Sequence, residues 1–441
     1  MRLAVISDIH LGDPSSAMAA DTPQGCEIGT GYTRFAEAVR GQFGNDPLDY
    51  LIVLGDVLDF SIVHYSTAYS IGKTLFERMV GDGLLRSRRI DPSGSPSKYG
   101  PIIYVPGNHD LDMWHTVEYQ VNIIQRIDKG KEAEKLRMSV PTIIHECADG
   151  SGLGVYLHGV SDIATREYGG LFLDSLTAPP IDWYFGFPNL YFVVEGETVW
   201  MTHGQYFNFF WSFLGQWALK VFGEELELRR PGHLDLVETV GINCPTGQLS
   251  CSSIGQAGPL TTIVRALEHD IKAGNMARIE RYADRVFVAL IARIDSRVLK
   301  FPLIKQIVRC IVKRLIDGLL NKSTPARDER DYLEKPDIKA NFDEFYKATV
   351  YEIEEIRSTY PFDIPYPSRL IFGHTHRPIP WSSPDTVTVP ACAGAPEREI
   401  EVCNTGGWLY HDADVGPGAE VFFYETGKGF SSRRIRYEPG E

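Results

Sequence analysis

Short apolar runs punctuate the first part of the chain, and several stop abruptly at polar side chains. Leu3–Ile6, Tyr50–Leu54, Ile102–Val105, Thr142–His145, Gly154–Leu157, Leu190–Val194 and Thr198–Thr202 have the length and the branched or aromatic content of strands. Between them, Thr33–Phe43 and Thr67–Val80 carry apolar residues at helical intervals. Asn189–His203 predicts a hairpin with Glu195-Gly196-Glu197 at its turn. Strand patterns return at Arg369–Phe372, Thr386–Val389, Glu399–Cys403 and Glu420–Tyr424. From about Phe207 to Tyr360 helical periodicity dominates, with breaks near Gly241–Pro259 and in the charged stretch Ser323–Lys335. The pattern predicts an α/β core made of residues 1–204 and 366–441, with 205–365 as a helical insertion.

The polar endings carry the chemistry. Asp8 and His10 follow the first run, and the second ends in Gly55-Asp56-Val57-Leu58-Asp59. The third ends in Gly107-Asn108-His109-Asp110, the hairpin in His203-Gly204, and the late run in Gly373-His374-Thr375-His376. In α/β sheets the C-terminal strand ends form the crevice where ligands bind. Any one of these residues alone reads as a turn or cap, but five such endings together point to a shared site. His374 and His376 would share a face if their strand continued, which suits a metal site; as loop residues they could equally make unrelated hydrogen bonds.

Composition narrows the partners. The 441 residues are 43% hydrophobic and 23% charged, as in a globular protein with a sizeable core. A net charge of −14 argues against a large nucleic-acid interface, though not against a small phosphorylated substrate. The seven cysteines lack C-x-x-C spacing and read as reduced thiols of a cytoplasmic protein. The opening MRLAVISD enters a strand at once, leaving no room for a signal peptide. The most apolar long stretch, Tyr206–Phe222, carries Asn208, Gln216 and Lys220, which disfavours a membrane span.

Taken in order, Asp8-x-His10, Gly55-Asp56-x-x-Asp59, Gly107-Asn108-His109-Asp110, His203-Gly204 and Gly373-His374-x-His376 resemble the calcineurin-like metallophosphoesterase family, over residues 1–204 and 366–425. The resemblance implies a four-layer β-sandwich flanked by helices, with a dinuclear metal centre at one sheet edge. It implies Asp8, His10 and His376 as ligands of one metal, Asn108, His203 and His374 as ligands of the other, and Asp56 as the bridging carboxylate. Imidazole and oxygen ligands without thiolate suit two divalent or transition-metal ions, Mn first, with Fe, Zn or Co as alternatives. A solvent oxygen acidified between them would attack phosphorus in line. His109 resembles the histidine that faces the leaving group and donates a proton, the alternative being a structural loop histidine. Asp59 reads as the carboxylate orienting His10 or His109, a part that Asp110 could also play. His158, in Gly154–Gly159, competes with His203 for the middle ligand position; the hairpin placement favours His203.

The insertion opens beside a predicted ligand. Its aromatic first piece, Gln205–Phe222, reads as the insertion's own core or as an apolar wall for a substrate with an apolar portion. In Phe301–Leu320 an apolar stripe is flanked by Lys305, Arg309, Lys313 and Arg314, which suits packing better than peripheral membrane contact. SDIHLG, GDVLDF, GHTHRP and Asn404-Thr405-Gly406-Gly407-Trp408 are similar to the branch that cleaves the pyrophosphate of a UDP-2,3-diacylglucosamine lipid precursor, although this insertion is longer. The expected function is a dinuclear-metal phosphoester hydrolase acting on a phosphomonoester, a phosphodiester or a pyrophosphate-linked lipid or nucleotide. The alternatives are an inactive scaffold or binding protein of the same fold, which would be expected to lack a ligand, and a nuclease, which should show a basic groove.

Overall fold

The computed structural model describes residues 1–85, 102–146, 153–157, 171–178, 181, 183–208, 227–230, 233–252, 281, 332–410 and 418–437. Its first strand, β1 (Arg2–Ile6), shows how the layers arise. Leu3 and Val5 enter one buried cluster and Ala4 and Ile6 another, because successive side chains leave opposite faces of a strand. A strand covered on both faces reads as an unbroken apolar run.

Two short strands, β2 (Ala19–Thr22) and β3 (Gly25–Ile28), pair as a small hairpin after β1. Next in the first large sheet are β4 (Tyr50–Leu54), β5 (Ile102–Val105) and β8 (Trp183–Phe185), all parallel to β1. The antiparallel strands β14 (Ala419–Glu425) and β15 (Gly429–Ile435) complete it, in the order β15-β14-β1-β4-β5-β8. The second sheet contains β6 (Thr142–Glu146), β7 (Leu153–Leu157), β9 (Asn189–Val194), β10 (Glu197–Thr202), β11 (Arg369–Phe372), β12 (Asp385–Val389) and β13 (Arg398–Asn404). Its order is β12-β13-β11-β10-β9-β6-β7. Between the sheets, Val5, Ile52 and Val105 of the first share a cluster with Leu190, Met201 and Ile371 of the second.

Helices cover the outer faces. On the first sheet, α1 (Thr30–Phe43) sets Phe43 edge-on to Phe423, and α2 (Tyr65–Gly81) sets Phe76 edge-on to Trp183. Helices α3 (Leu111–Tyr119), α4 (Gln125–Asp128) and α5 (Leu236–Cys251) follow in the chain. On the second sheet, α6 (Pro336–Arg357) stacks Phe342 and Phe345 on Trp200, with ring centroids 6.1 and 5.8 Å apart. Trp200 is fully buried; a ring system of this kind hides roughly 200 Å², worth on the order of 5 kcal/mol as an upper bound. The result is the four-layer helix–sheet–sheet–helix sandwich of metallophosphoesterases.

Most predicted strands and both N-terminal helices lie within a few residues of their expected bounds. The hairpin turn narrows to Glu195-Gly196, both with positive φ (52° and 79°), the conformation of a two-residue hairpin loop. The break expected from Gly241 onward is displaced: α5 runs through it to Cys251. Its start is secured by a capping box, in which Glu238 N–H donates to Asp235 at 2.7 Å and Asp235 N–H donates to Glu238 at 2.9 Å; the helix nonetheless carries Gly241, Pro245 and Gly247, residues that disfavour a helix interior. Strands β2, β3, β8 and β15 were not foreseen. In β15, Gly-Phe-Ser-Ser-Arg-Arg-Ile lacks an apolar alternation because it is an edge strand. His158, residues 209–222 and residues 301–320 lie outside the described residues. No helix among the described residues is long and apolar enough to cross a membrane. Among the described residues, Cys26, Cys244, Cys251, Cys392 and Cys403 form no disulfide.

Candidate metal centre

Strands β1, β4 and β5 of the first sheet and β10 and β11 of the second run into loops that meet. Asp8, His10, Asp56, His374 and His376 all have φ between 51° and 66°, in the left-handed region. They account for five of the seven described non-glycine residues with positive φ. Each such residue costs of order 1–3 kcal/mol and persists only where the surroundings hold it. Here the loops hold one another. Asp8 N–H donates to Gly55 O (3.0 Å), His10 N–H to Asp56 O (2.8 Å), Gly373 N–H to His203 O (3.0 Å) and Trp408 N–H to Asp8 O (3.0 Å). Close approach also demands glycine: a Cβ on Gly55 would lie 2.5 Å from Gly107 N and 2.6 Å from His203 Nδ1.

The sharp turns bring together every sequence-predicted ligand residue. Asp8, His10 and His376 form one group with ligand atoms within 4.8 Å of one another, and Asp56, His203 and His374 form a second. A third group, His10, Asp56 and His109, overlaps the first two in its members. Asp56 lies between, with Oδ2 at 3.2 Å from His203 Nε2 and 3.7 Å from His10 Nε2. Asn108 Oδ1 is 3.1 Å from His203 Nε2.

Tautomers follow from the outer hydrogen bonds. Carboxylate and carbonyl oxygens only accept, so His10 Nδ1–H donates to Asp59 (2.9 Å) and His203 Nδ1–H donates to Leu54 O (2.8 Å). In the neutral rings, both Nε2 lone pairs then point inward. That of His10 faces His376 Nε2 at 3.1 Å, and that of His203 faces the oxygens of Asp56 and Asn108. Inward-facing acceptors repel unless a positive charge sits among them. The buried Asn108 Nδ2 has no partner, leaving its oxygen as the polar atom turned to the cluster.

Electrostatics agree. Burial pushes the carboxyl of Asp8 up, but the hydrogen bond from His376 and the charge of His203 outweigh it and hold it below the ordinary value. Burial likewise opposes ionisation of Asp56, yet His203 and His109 hold it far below the carboxylate range. His203 shows the complement: burial lowers it, but Asp56 raises it to about 9. The crevice demands a cation, and without a metal ion a proton takes that place. A donor set of imidazoles, carboxylates and one amide oxygen, with no thiolate, fits divalent or transition-metal ions.

Asp59 orients both histidines rather than one. Its Oδ2 accepts from His10, and its Oδ1 lies 3.1 Å from His109 Nδ1. Asp110 does not take that part. It accepts from Gly107 N–H (2.6 Å) and Val57 N–H (2.8 Å) and from the Tyr104 hydroxyl, tying β4 to β5. Burial, with the nearby charge of Asp56, raises its carboxyl to about 6.

Sequence reasoning missed two supports. Ser61 Oγ lies 2.8 Å from His109 Nδ1 and also bonds Asp59; the only sequence signal is its position two residues after Asp59, where a hydroxyl can close a local turn. Asn404 donates to Gly373 O (2.8 Å) and Thr375 Oγ1 (3.1 Å), holding the loop that carries His374 and His376. Asn404 ends β13 and opens the Asn404-Thr405-Gly406-Gly407-Trp408 motif, a signal that marked the segment but not this role.

A sandwich whose strand ends gather histidines and aspartates defines a metallophosphoesterase-type domain. The family model of calcineurin-like phosphoesterases matches residues 1–214, so this part of the chain is similar to that family. A search of curated proteins finds no match.

Proposed function

We propose that the protein hydrolyses phosphoesters with two divalent or transition-metal ions, Mn first. One would be held by Asp8, His10 and His376, the other by Asn108, His203 and His374, with Asp56 shared. The observation that carries this reading is the meeting of inward-facing lone pairs around Asp56 Oδ2, 3.2 Å from His203 Nε2 and 3.7 Å from His10 Nε2. Cations bound there supply Lewis acidity to phosphoryl oxygens and activation of water for in-line attack.

The chain's own groups do the remaining work. Asp59 and Leu54 O fix the rings of His10 and His203 so that Nε2 faces the crevice. Asp59 and Ser61 engage His109 Nδ1, so Nε2 is the atom that gives a proton to the leaving-group oxygen. The Asp56 carboxylate accepts His109 N–H at 2.8 Å, which sets that histidine beside the shared ligand. The substrate class is a small phosphorylated molecule: a phosphomonoester, a phosphodiester or a pyrophosphate-linked lipid or nucleotide. A cytoplasmic setting suits described cysteines that form no disulfide.

The test is metal analysis combined with a substrate screen. Protein supplied with Mn should hold close to two ions per chain and hydrolyse at least one of p-nitrophenyl phosphate, bis-p-nitrophenyl phosphate or a nucleotide-diphospho-lipid. Full activity after complete metal removal would end the proposal, and loaded protein inert on every substrate would favour a scaffold.

A further inference from the structure

Far from the histidines in sequence, α1 and the end of β15 form the walls of a cleft of about 350 Å³. Arg34, Arg433, Arg434 and Arg436 line it beside a single carboxylate, Glu37, with Ala38, Ile435 and Tyr437 completing the walls. In a chain of net charge −14 this is a concentrated island of positive charge. We propose that the cleft is a binding site for a phosphate-bearing anion, separate from the metal centre and sharing no residue with it.

Several observations support this. Arg433 is exposed and lies over α1 at Gly41, where a Cβ would sit 2.9 Å from its Nη1, so the glycine leaves the guanidinium room. Glu37 offsets only part of the charge, pairing with Arg34 at 3.3 Å. Arg434 is pushed down by burial and by Arg436 and held up by Glu420, its antiparallel partner on β14. The walls are firmly set. Phe35 of α1 and Tyr437 both pack on Trp408, with ring centroids 6.1 and 5.8 Å away, and the Tyr437 hydroxyl donates to Gly407 O at 2.5 Å. Charged residues on an edge strand can simply block strand pairing. That role needs no concavity and no contribution from Arg34 on a helix. Arginines that line one concave space offer the forked N–H donors that phosphate oxygens accept.

The source of the phosphate can be a free small molecule or a lipid headgroup, and two arms separate them. In the first, imidodiphosphate, a non-hydrolysable pyrophosphate analogue, is titrated calorimetrically into the full chain as purified. In the second, the chain is sedimented with phosphatidylcholine vesicles with and without phosphatidylglycerol. The R433A/R436A variant should bind at least about tenfold more weakly in the arm that identifies the source. Its phosphoesterase rate should stay unchanged, so a failure here is distinct from a failure of the hydrolase reading. Glu37→Gln should tighten the same binding severalfold, which keeps the test informative if the double variant folds poorly. Wild-type protein that binds neither probe, or isotherms identical across wild type, R433A/R436A and E37Q, would overturn the site.

Discussion

Two buried polar clusters that both draw on the second sheet invite comparison. One lies on its outer face under α6, where Glu352 accepts from the Tyr191 hydroxyl (2.5 Å) and the Ser139 hydroxyl (2.6 Å), while Trp200 Nε1–H donates to Asn189 (2.9 Å). The other is the crevice at the strand ends. In the first, burial wins and raises the Glu352 carboxyl to about 7. In the second, the same burial is overcome, and Asp8, Asp56 and Asp59 are held low by imidazoles. The first cluster closes on itself, and none of Ser139, Asn189, Tyr191 or Glu352 keeps an unpartnered buried atom, whereas Asn108 in the crevice does. The backbone differs too: Glu352 sits inside a regular helix, while five crevice residues adopt left-handed turns. A buried polar cluster that satisfies itself is architecture. One whose lone pairs converge under backbone strain is suited to hold positive charge.

The contrast can be broken from either side. The largest effect is expected for Asp56→Asn, which removes the shared carboxylate. Turnover should fall by roughly 10³-fold or more, because several kcal/mol of charge stabilisation go with it, and the metal content per chain should drop. A variant that still holds two ions and turns over normally would erase the distinction between the clusters. Next comes Trp200→Ala in the closed cluster, which opens a cavity and strips Asn189 Oδ1 of its donor. Urea unfolding should show a loss of about 3–5 kcal/mol.

His109→Ala should leave metal content intact and slow substrates with poor leaving groups about 10²-fold. p-Nitrophenyl esters should suffer less, and equal slowing of both would remove the proton-donor role. The smallest effect is a pH slope. The Glu352 carboxyl rises from 4.5 to about 7 on folding, so the folded chain keeps a proton that the unfolded chain releases. Its stabilising contribution is full below the unfolded value and fades as pH rises through 7, by at most about 3 kcal/mol. Unfolding midpoints at pH 5 and 8 should therefore differ less in Glu352→Gln than in wild type. Matching slopes would mean that the carboxyl is already ionised in the folded protein.

Much of the crevice was legible because its residues sit where apolar runs stop. Asp8, Asp56, Asn108, His203 and His374 each mark the end of a strand that the pattern of apolar residues reveals. What that pattern could not convey was use. Asp110 belongs to the same motif as His109, yet it bonds backbone rather than histidine, a choice set by its reach to Gly107 and Val57. Ser61 supports the site without periodicity or unusual composition, and the motif that Asn404 opens does not tell that it holds the His374–His376 loop. The arginine cleft was hidden for a related reason: an edge strand needs no apolar alternation, and its partner residues lie on α1, nearly four hundred positions earlier.

The sequence by itself determined the strands, the polar residues that end them and the chemistry those residues can offer, since side-chain periodicity and ligand type are local properties. Only the tertiary structure decided that Asp56 falls between the two histidine groups, and that His10 and His376, 366 positions apart, face each other across 3.1 Å. Those distances are set by how two sheets pack through a shared apolar core, and no local pattern encodes the packing of distant segments.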